Sequence, residues 1–98
     1  MEMDIETSLP QLLEILKKKL KKDAFDENID TLFRIFNNIR NSVIEEKFRR
    51  LKKSNKKIAE LLKLKENFEI LKYGGFEDYN DIFLMNQVNL GRIDECLI

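Results

Sequence analysis

The sequence contains no histidine and no tryptophan, one cysteine, one proline and three glycines. Without histidine, the usual neutral-pH proton carrier and the commonest zinc ligand are missing, which excludes Ser-His-Asp hydrolases and His-ligated metal sites. A single cysteine, Cys96, excludes an intramolecular disulfide and suits a reducing compartment. The few glycines and prolines argue against an architecture that is rich in loops or hairpins.

Net charge is also absent, because eighteen basic and eighteen acidic side chains cancel. General affinity for nucleic acid needs a net basic surface, so this balance argues against it. The charges are nevertheless unevenly distributed: residues 17–22 and 47–57 are basic, whereas 2–6, 23–30 and 77–81 are acidic. A basic face on a neutral protein suits an acidic peptide at least as well as RNA.

No apolar run approaches the length of a membrane span, and the N-terminus MEMDIETS is acidic, unlike a signal peptide. We therefore expect no membrane partner and a cytoplasmic or nucleocytoplasmic location. With 98 residues, 43% of them apolar and 37% charged, the chain is expected to form a single domain over 1–98 around one core.

The apolar spacing predicts helices in the first half of the chain. Helix 1 is expected over about 8–22, where Ser8 and Gln11 form a capping box. Helix 2 is expected over about 28–41, capped by Asp26 or Asn28. The predicted core face of helix 2 consists of Ile29, Leu32, Phe33, Phe36 and Ile39.

Counted at 100° per residue from Ile29, Asn38 falls at about 180°, nearly opposite the centre of that predicted face. Its side chain is therefore expected to point outward, or into a groove beside Ile35. The following segment, 46–55, has neither a clear helical nor a clear strand pattern. An extended segment or a short strand after a helical turn is expected there.

Asn55 is predicted to cap further helices over about 55–73. Gly74 is expected to supply a left-handed turn at their end, after which the chain folds back. A small hairpin over about 75–86 and a C-terminal helix over about 88–97 complete the chain. These elements predict an α+β, mainly α fold, a helical bundle with a small antiparallel β-sheet.

No group of residues carries the chemistry of an enzyme. The carboxylate pairs Glu45-Glu46 and Glu77-Asp78 stand in charged loops without histidine or cysteine partners, so we interpret them as solvated. Cys96 stands among apolar residues and is interpreted as a small buried hydrophobe. The chain is therefore expected to be no enzyme, with no cofactor and no metal site.

Phe48 lies among lysines and arginines, which is compatible with a stacking platform for single-stranded RNA. A second interleaved aromatic residue is missing, however, and the net charge is zero. From the residues alone, a core position is favoured for Phe48, and Asn38 is an ordinary surface amide.

A longer pattern becomes visible between Asn38 and Glu77. A helix ends in Asn-Ile, a short spacer leads to Glu-Lys-aromatic-Arg, an Asn follows, and a helical stretch precedes Gly-Phe-Glu and a hairpin. The pieces are Asn38-Ile39, Glu46-Lys47-Phe48-Arg49, Asn55 and Gly75-Phe76-Glu77. In order and spacing, the chain from about Thr31 to Leu97 resembles the PUB domain, the module shared by peptide:N-glycanase and several ubiquitin-system proteins.

The resemblance implies a protein-interaction module of PUB-like fold. Such domains dock the acidic, Leu-Tyr-containing C-terminal tail of the hexameric AAA+ ATPase valosin-containing protein. They thereby recruit it to ubiquitin/proteasome or ER-associated degradation work. The residues expected to contact the tail are Ile35, Asn38, Lys47, Phe48, Lys52, Asn55, Gly75 and Phe76.

Three departures from the family pattern accompany this resemblance. The family usually has Tyr at the position of Phe48, Arg at Lys52 and Pro at Val43, so a hydroxyl and a planar bidentate donor are missing here. The alternative that stays open is a nucleic-acid-binding module that uses the basic runs 17–22 and 47–57. It requires both runs to lie on one face. In either case a monomer is expected.

Overall fold

The computed structural model describes residues 8–97, so the acidic segment 2–6 and the predicted absence of a signal peptide concern residues outside this range. Residues 8–97 form five α-helices and a three-stranded antiparallel sheet, which confirms the predicted α+β, mainly α class. The elements are α1 (Leu9–Lys19), α2 (Lys22–Asn41), a 3-10 turn (Glu46–Arg49), β1 (Arg50–Lys52), α3 (Lys56–Leu61), α4 (Lys65–Gly74), β2 (Glu77–Asp78), β3 (Ile82–Leu84) and α5 (Leu90–Cys96).

The predicted capping box begins α1. The Ser8 hydroxyl accepts a hydrogen bond from the Gln11 amide, and the Gln11 side chain accepts one from the Ser8 amide. The helix ends at Lys19 rather than near residue 22, because the backbone of Leu20 is extended. Three lysines occupy the last turn, where cations oppose the helix dipole.

The start of α2 was predicted wrongly. The helix begins at Lys22, about one and a half turns before the expected start, and its first residues have no side-chain cap. Phe25 explains the early start, because its half-buried side chain packs on the core and extends the apolar spacing of the helix backward. Asp26 and Asn28, the predicted caps, therefore lie inside the helix.

The core face of α2 also differs from the predicted one. Phe33, expected in the core, is 41% exposed. The buried residues of α2 are Leu32, Ile35, Phe36 and Ile39. Because Ile35 belongs to this set, the centre of the buried face lies closer to Asn38 than expected. At 100° per residue, Asn38 is about 110° from that centre, on the flank of α2 rather than on its far side.

The segment after α2 forms the 3-10 turn and then β1, close to the expected short strand after a helical turn. In the sheet, β3 lies between β1 and β2 and is antiparallel to both. Leu51 pairs with Phe83, and Asp78 pairs with Phe83 on the other side. The sheet thus joins the region after α2 to the hairpin that follows α4.

The turn at the end of α4 places the left-handed residue one position later than predicted. Gly75 has φ of +123°, and the Phe76 amide donates to the Leu71 carbonyl while the Gly75 amide donates to that of Lys72. Gly74 is the last helical residue instead. The turn directs Phe76 into the core, where only 2% of it is exposed.

Two polar pairs join α4 to the first two helices. Lys19 Nζ donates to both carboxylate oxygens of Glu66, at 3.1 and 2.9 Å. Asn67, which is fully buried, exchanges amide hydrogen bonds with Asn28 at 2.8 and 2.9 Å and also donates to the Leu61 carbonyl. These pairs satisfy the buried polar groups that the start of α4 brings inward.

Candidate functional site

The C-terminal part of α2 presents Asn38 on its flank. The side chain of Asn38 is exposed. The backbone carbonyl of Asn38 accepts a hydrogen bond from the amide of Ser42, the residue that follows the helix, at 3.0 Å. The 3-10 turn packs against α2 directly after this helix end. The amide of Asn38 is therefore carried on a rigid helix beside the turn that holds Phe48.

Phe48 lies half-buried at the edge of the core, and Lys47 covers part of its ring. Lys47 Nζ stands 5.2 Å from the ring centroid, within the range of a cation–π contact. The rest of the ring packs on the hydrophobic core. Phe48 thus combines the core position favoured by the residues alone with a partly accessible ring.

Lys52 and Asn55 follow on β1 and at the start of α3. Lys52 is exposed at the end of the strand. The Asn55 Oδ1 accepts hydrogen bonds from the amides of Lys57 and Ile58, at 2.9 and 3.2 Å, so the predicted cap of a helix at Asn55 is confirmed. This cap fixes the side chain with its Nδ2 donor directed away from the helix backbone.

Arg49 connects the 3-10 turn to the end of α4 through Met85. Its Nη1 donates to the Met85 carbonyl, and the Met85 amide donates to the Arg49 carbonyl, both at 2.9 Å. A side chain on Gly75 would meet the Met85 side chain at 3.5 Å. Gly75 is thereby placed near the turn. The sequence pattern contained Arg49 but assigned it no role.

Two of the eight predicted contact residues are buried. Phe76 is 2% exposed and Ile35 is 9% exposed, so the expectation that their side chains contact a ligand is corrected. The Phe76 ring lies between those of Phe36 and Phe83, at centroid distances of 6.1 and 6.5 Å. Both residues belong to the core, whereas the other six predicted residues are exposed or half-buried.

Several lysines between the 3-10 turn and the start of α3 lack an acidic partner among residues 8–97. Within residues 8–97, no carboxylate lies at salt-bridge distance from Lys47, Lys52, Lys56 or Lys57. Neighbouring cations are paired, because Arg50 bonds Glu46 and Lys53 bonds Asp78. The segment from the 3-10 turn to α3 therefore has a local excess of positive charge in a chain whose net charge is zero.

A cleft lies between α2 and α3. It measures about 600 Å³, and none of the eight predicted residues lines it. Ala24 and Thr31 of α2 form one wall, and Lys56 and Lys57, which follow Asn55, belong to the other. The cleft was not predicted, because a start of helix 2 at residue 28 leaves out the helical spacing of Ala24 from Asn28 and Thr31.

Comparison with protein-family models matches residues 22–97 to the PUB domain. The chain belongs to the PUB domain family. PUB domains are protein-interaction modules, and the suspected resemblance is therefore confirmed over most of the chain. The PUB match begins at the first residue of α2 and leaves α1 outside it. A search of curated proteins finds no match.

Residues 8–97 of this PUB domain contain neither a group of metal ligands nor a helix that could span a membrane. Among residues 8–97, no three His, Cys, Asp or Glu side chains are grouped so that they could hold a metal ion. No helix of the same range is long and apolar enough to cross a membrane. The exposed polar residues at the end of α2 and the lysines that follow the 3-10 turn are the features of this domain that suit a protein ligand.

Proposed function

We propose that this PUB domain binds the acidic, Leu-Tyr-containing C-terminal tail of a valosin-containing protein-type AAA+ ATPase. It acts as a monomeric adaptor without catalysing a reaction. By binding the tail it recruits the ATPase to ubiquitin/proteasome or ER-associated degradation work in the cytoplasm or nucleocytoplasm. The contact surface comprises Asn38, Lys47, Phe48, Lys52, Asn55 and Gly75.

The unpaired lysines are the observation that carries this proposal. Lys47 and Lys52 keep their ammonium groups without a carboxylate partner among residues 8–97, although acidic residues are as numerous as basic ones in the chain. Such a surface attracts an acidic peptide and raises its association rate. Because the net charge of the whole chain is zero, a short acidic peptide that meets this one segment is favoured over a long polyanion.

Two asparagine side chains, one before and one after the 3-10 turn in the chain, supply directional contacts. Asn38 is exposed on the flank of α2, and Asn55 has its Nδ2 group directed outward by the cap. An extended peptide offers backbone carbonyl and amide groups, and each asparagine amide can donate to one and accept from the other. Gly75 and Arg49 both lie beside Met85, and the lack of a side chain on Gly75 favours close approach of a peptide backbone.

Phe48 supplies the apolar contact. The Lys47 ammonium lies 5.2 Å from the centroid of the Phe48 ring. An aromatic ring of the tail displaces this ammonium when it packs on the accessible part of Phe48. Pairs of aromatic rings contribute about 0.5–1.5 kcal/mol beyond the area that they bury. The displaced ammonium is then available to the acidic residues that precede the ring.

The nucleic-acid alternative has less support. Its two basic runs approach each other where Leu20, Lys56 and Lys57 border one cleft. Within the runs, however, Lys19 is bonded to Glu66 and Lys53 to Asp78, so part of the positive charge is used internally. A nucleic acid that binds with an affinity falling steeply as the salt concentration rises would favour this alternative over a short acidic peptide. The slope of log affinity against log salt concentration would then correspond to several phosphate contacts.

Calorimetric titration with a synthetic acidic peptide that ends in the Leu-Tyr motif tests the proposal. We expect a dissociation constant in the micromolar range, on the order of 1–100 μM, because a short flexible tail is ordered on binding. Asn38→Ala should weaken binding by roughly two- to tenfold, the worth of one hydrogen bond.

Asn41→Ala is the matched control, because Asn41 is also exposed at the end of α2. It should bind like the unmodified chain. No binding at millimolar peptide would overturn the proposal, and so would an equal loss in the Asn38→Ala and Asn41→Ala variants.

A further inference from the structure

The cleft between α2 and α3 is lined by none of the six residues of the proposed tail contact. Its volume of about 600 Å³ lies within the range that ligand sites in proteins usually have. Leu61 is buried in its floor, and Leu20 and Leu64 are half-buried beside it. An apolar side chain of about the size of leucine would bury area against these three residues.

The polar groups of the cleft are mostly satisfied within the protein. Thr31 donates its hydroxyl to the Glu27 carbonyl at 3.0 Å, and Lys63 is bonded to Glu60. The ammonium groups of Lys56 and Lys57 have no carboxylate at salt-bridge distance within residues 8–97. They are therefore the groups of the cleft wall that remain to attract a charged ligand.

Folding stability does not explain these two lysines. They occupy the first two positions of α3, where the helix dipole disfavours cations and favours carboxylates. The helix is capped by Asn55 without any contribution from them. A pair of cations at this position, at the rim of a cleft with an apolar floor, suits an acidic ligand.

The cleft continues the surface of the proposed tail contact. Along α2, Ala24, Thr31 and Asn38 are spaced by seven residues and therefore share one flank of the helix. Thr31 and Asn38 are separated by roughly 10 Å along the axis, a distance that about three extended residues span. On the facing wall, Lys56 directly follows Asn55 in the chain.

We infer that this cleft binds the residues that precede the Leu-Tyr motif of the same acidic peptide. The upstream carboxylates contact Lys56 and Lys57, and an aliphatic side chain three or four residues before the motif enters the cleft above Leu61. Glu27, on the α2 wall, opposes the negative charge of this ligand and limits its affinity. The inference rests on the proposed function, because the motif itself sets the position of the peptide.

Two synthetic peptides test the inference on the full chain. The short peptide has two acidic residues followed by Leu-Tyr. The long one has eight further upstream residues, acidic except for one leucine four positions before the motif. We expect the long peptide to bind about fivefold or more tightly, since it adds at least two ion pairs and one buried side chain.

Three changes in the cleft separate its contribution from that of the motif. The double variant K56E/K57E should reduce the ratio of long- to short-peptide affinity to near one. Its fold should be retained, because carboxylates suit the start of a helix. Ala24→Leu should have a similar effect by filling the cleft from an exposed helix position. Glu27→Gln should raise the ratio.

The double variant K17E/K18E is the matched control, because it changes the net charge equally at exposed positions of α1 outside the cleft. It should preserve the ratio. The inference is overturned if the unmodified chain binds both peptides equally, or if the cleft variants leave the ratio unchanged.

A chain that sediments as a dimer and becomes monomeric in the K56E/K57E variant would also overturn the inference, because a second copy would then occupy the cleft. If neither peptide binds, the proposed function fails together with the inference. If the short peptide binds and the ratio is one, the inference alone fails.

Discussion

Gly74, the last residue of α4, lies directly against the ring of Phe36 in α2. A methyl group on Gly74 would stand 2.3 Å from Cε1 and 2.6 Å from Cζ of that ring. Phe36 is fully buried and its ring also contacts that of Phe76. The contact therefore sets how closely the end of α4 approaches α2, and with it the position of Gly75 beside Met85.

Replacing Gly74 by alanine should destabilise the domain by about 1–3 kcal/mol, because the buried ring of Phe36 has no free space into which it can move away from the added methyl group. Chemical denaturation monitored by circular dichroism measures the change. Gly91→Ala is the control: its methyl group would meet only the Asn89 Oδ1 at 3.3 Å, and a change within about 0.5 kcal/mol, or a slight gain, is expected. Equal effects of the two changes would contradict the prediction.

Asn55 caps α3 and belongs to the proposed peptide contact, and different substitutions separate these two roles. Asn55→Ala should lower the free energy of unfolding by about 1 kcal/mol because the cap of α3 is lost. Asn55→Ser keeps a capping oxygen and should change it by only a few tenths. Both variants lack the Nδ2 donor and should bind the Leu-Tyr peptide roughly two- to tenfold more weakly. Unchanged peptide affinity in Asn55→Ser would show that Asn55 is a cap alone.

Phe48→Tyr restores the hydroxyl that PUB domains usually carry at this position. Phe48 is half-buried at the edge of the core, so the ring can keep its packing while the hydroxyl extends toward the surface. We expect peptide binding to tighten by roughly two- to tenfold, the worth of one added hydrogen bond. Calorimetry checks the affinity, and a weaker complex with an unaltered fold would contradict the expectation.

Acid should weaken the domain through Glu66. The hydrogen bond from Lys19 holds the pKa of the Glu66 carboxyl below its ordinary value of 4.5, despite the opposing effect of burial. The unfolded state therefore takes up a proton first as the pH falls. The stability that this pair contributes is complete above about pH 4.5 and is lost as the pH falls through the folded-state pKa.

Lys19→Met should reduce this acid dependence and destabilise the domain at neutral pH by about 1–3 kcal/mol, less than for a fully buried pair because 45% of the Lys19 side chain is exposed. Lys22→Met, which breaks the exposed pair with Asp26, should change stability by less than about 0.5 kcal/mol. Urea denaturation of each variant between pH 3 and 7 measures both effects. An acid dependence that persists in Lys19→Met would assign it to other carboxylates.

Cys96 should be poorly reactive in the folded chain. The side chain of Cys96 is half-buried. This partial burial, together with the neighbouring Glu95, raises the pKa of its thiol from 9.0 to about 12. The thiolate is the reactive form, so its population at pH 8 falls by about a thousandfold. Alkylation by iodoacetamide at pH 8 should be far slower in native buffer than in denaturant, and similar rates would contradict this.

The sequence predicted those features that neighbouring residues decide among themselves. Ser8 and Asn55 cap helices as expected, since a side-chain oxygen needs only backbone amides two or three residues away. The pattern from Asn38 to Gly75 likewise identified the PUB family, because its residues keep their order and spacing. Six of the eight predicted contact residues are exposed or half-buried, and their role in binding stays a prediction.

Distant contacts decided the rest. The start of α2 depends on the packing of Phe25 against the core, which outweighed two good cap residues. Ile35 was drawn into the core and Phe33 left at its edge because α2 has neighbours on one particular side, and helical spacing alone does not reveal which. The same shift moved Asn38 to the flank of the helix.

The sequence by itself determined the fold class, the caps at Ser8 and Asn55, the charge balance and the family. Each of these follows from the identity of residues and from interactions over a few positions. Only the tertiary structure decided which lysines remain without a carboxylate partner, that Gly74 rather than Gly75 contacts Phe36, and that a cleft opens between α2 and α3. These features depend on surfaces that come together after folding, where steric fit and charge pairing join residues far apart in the chain.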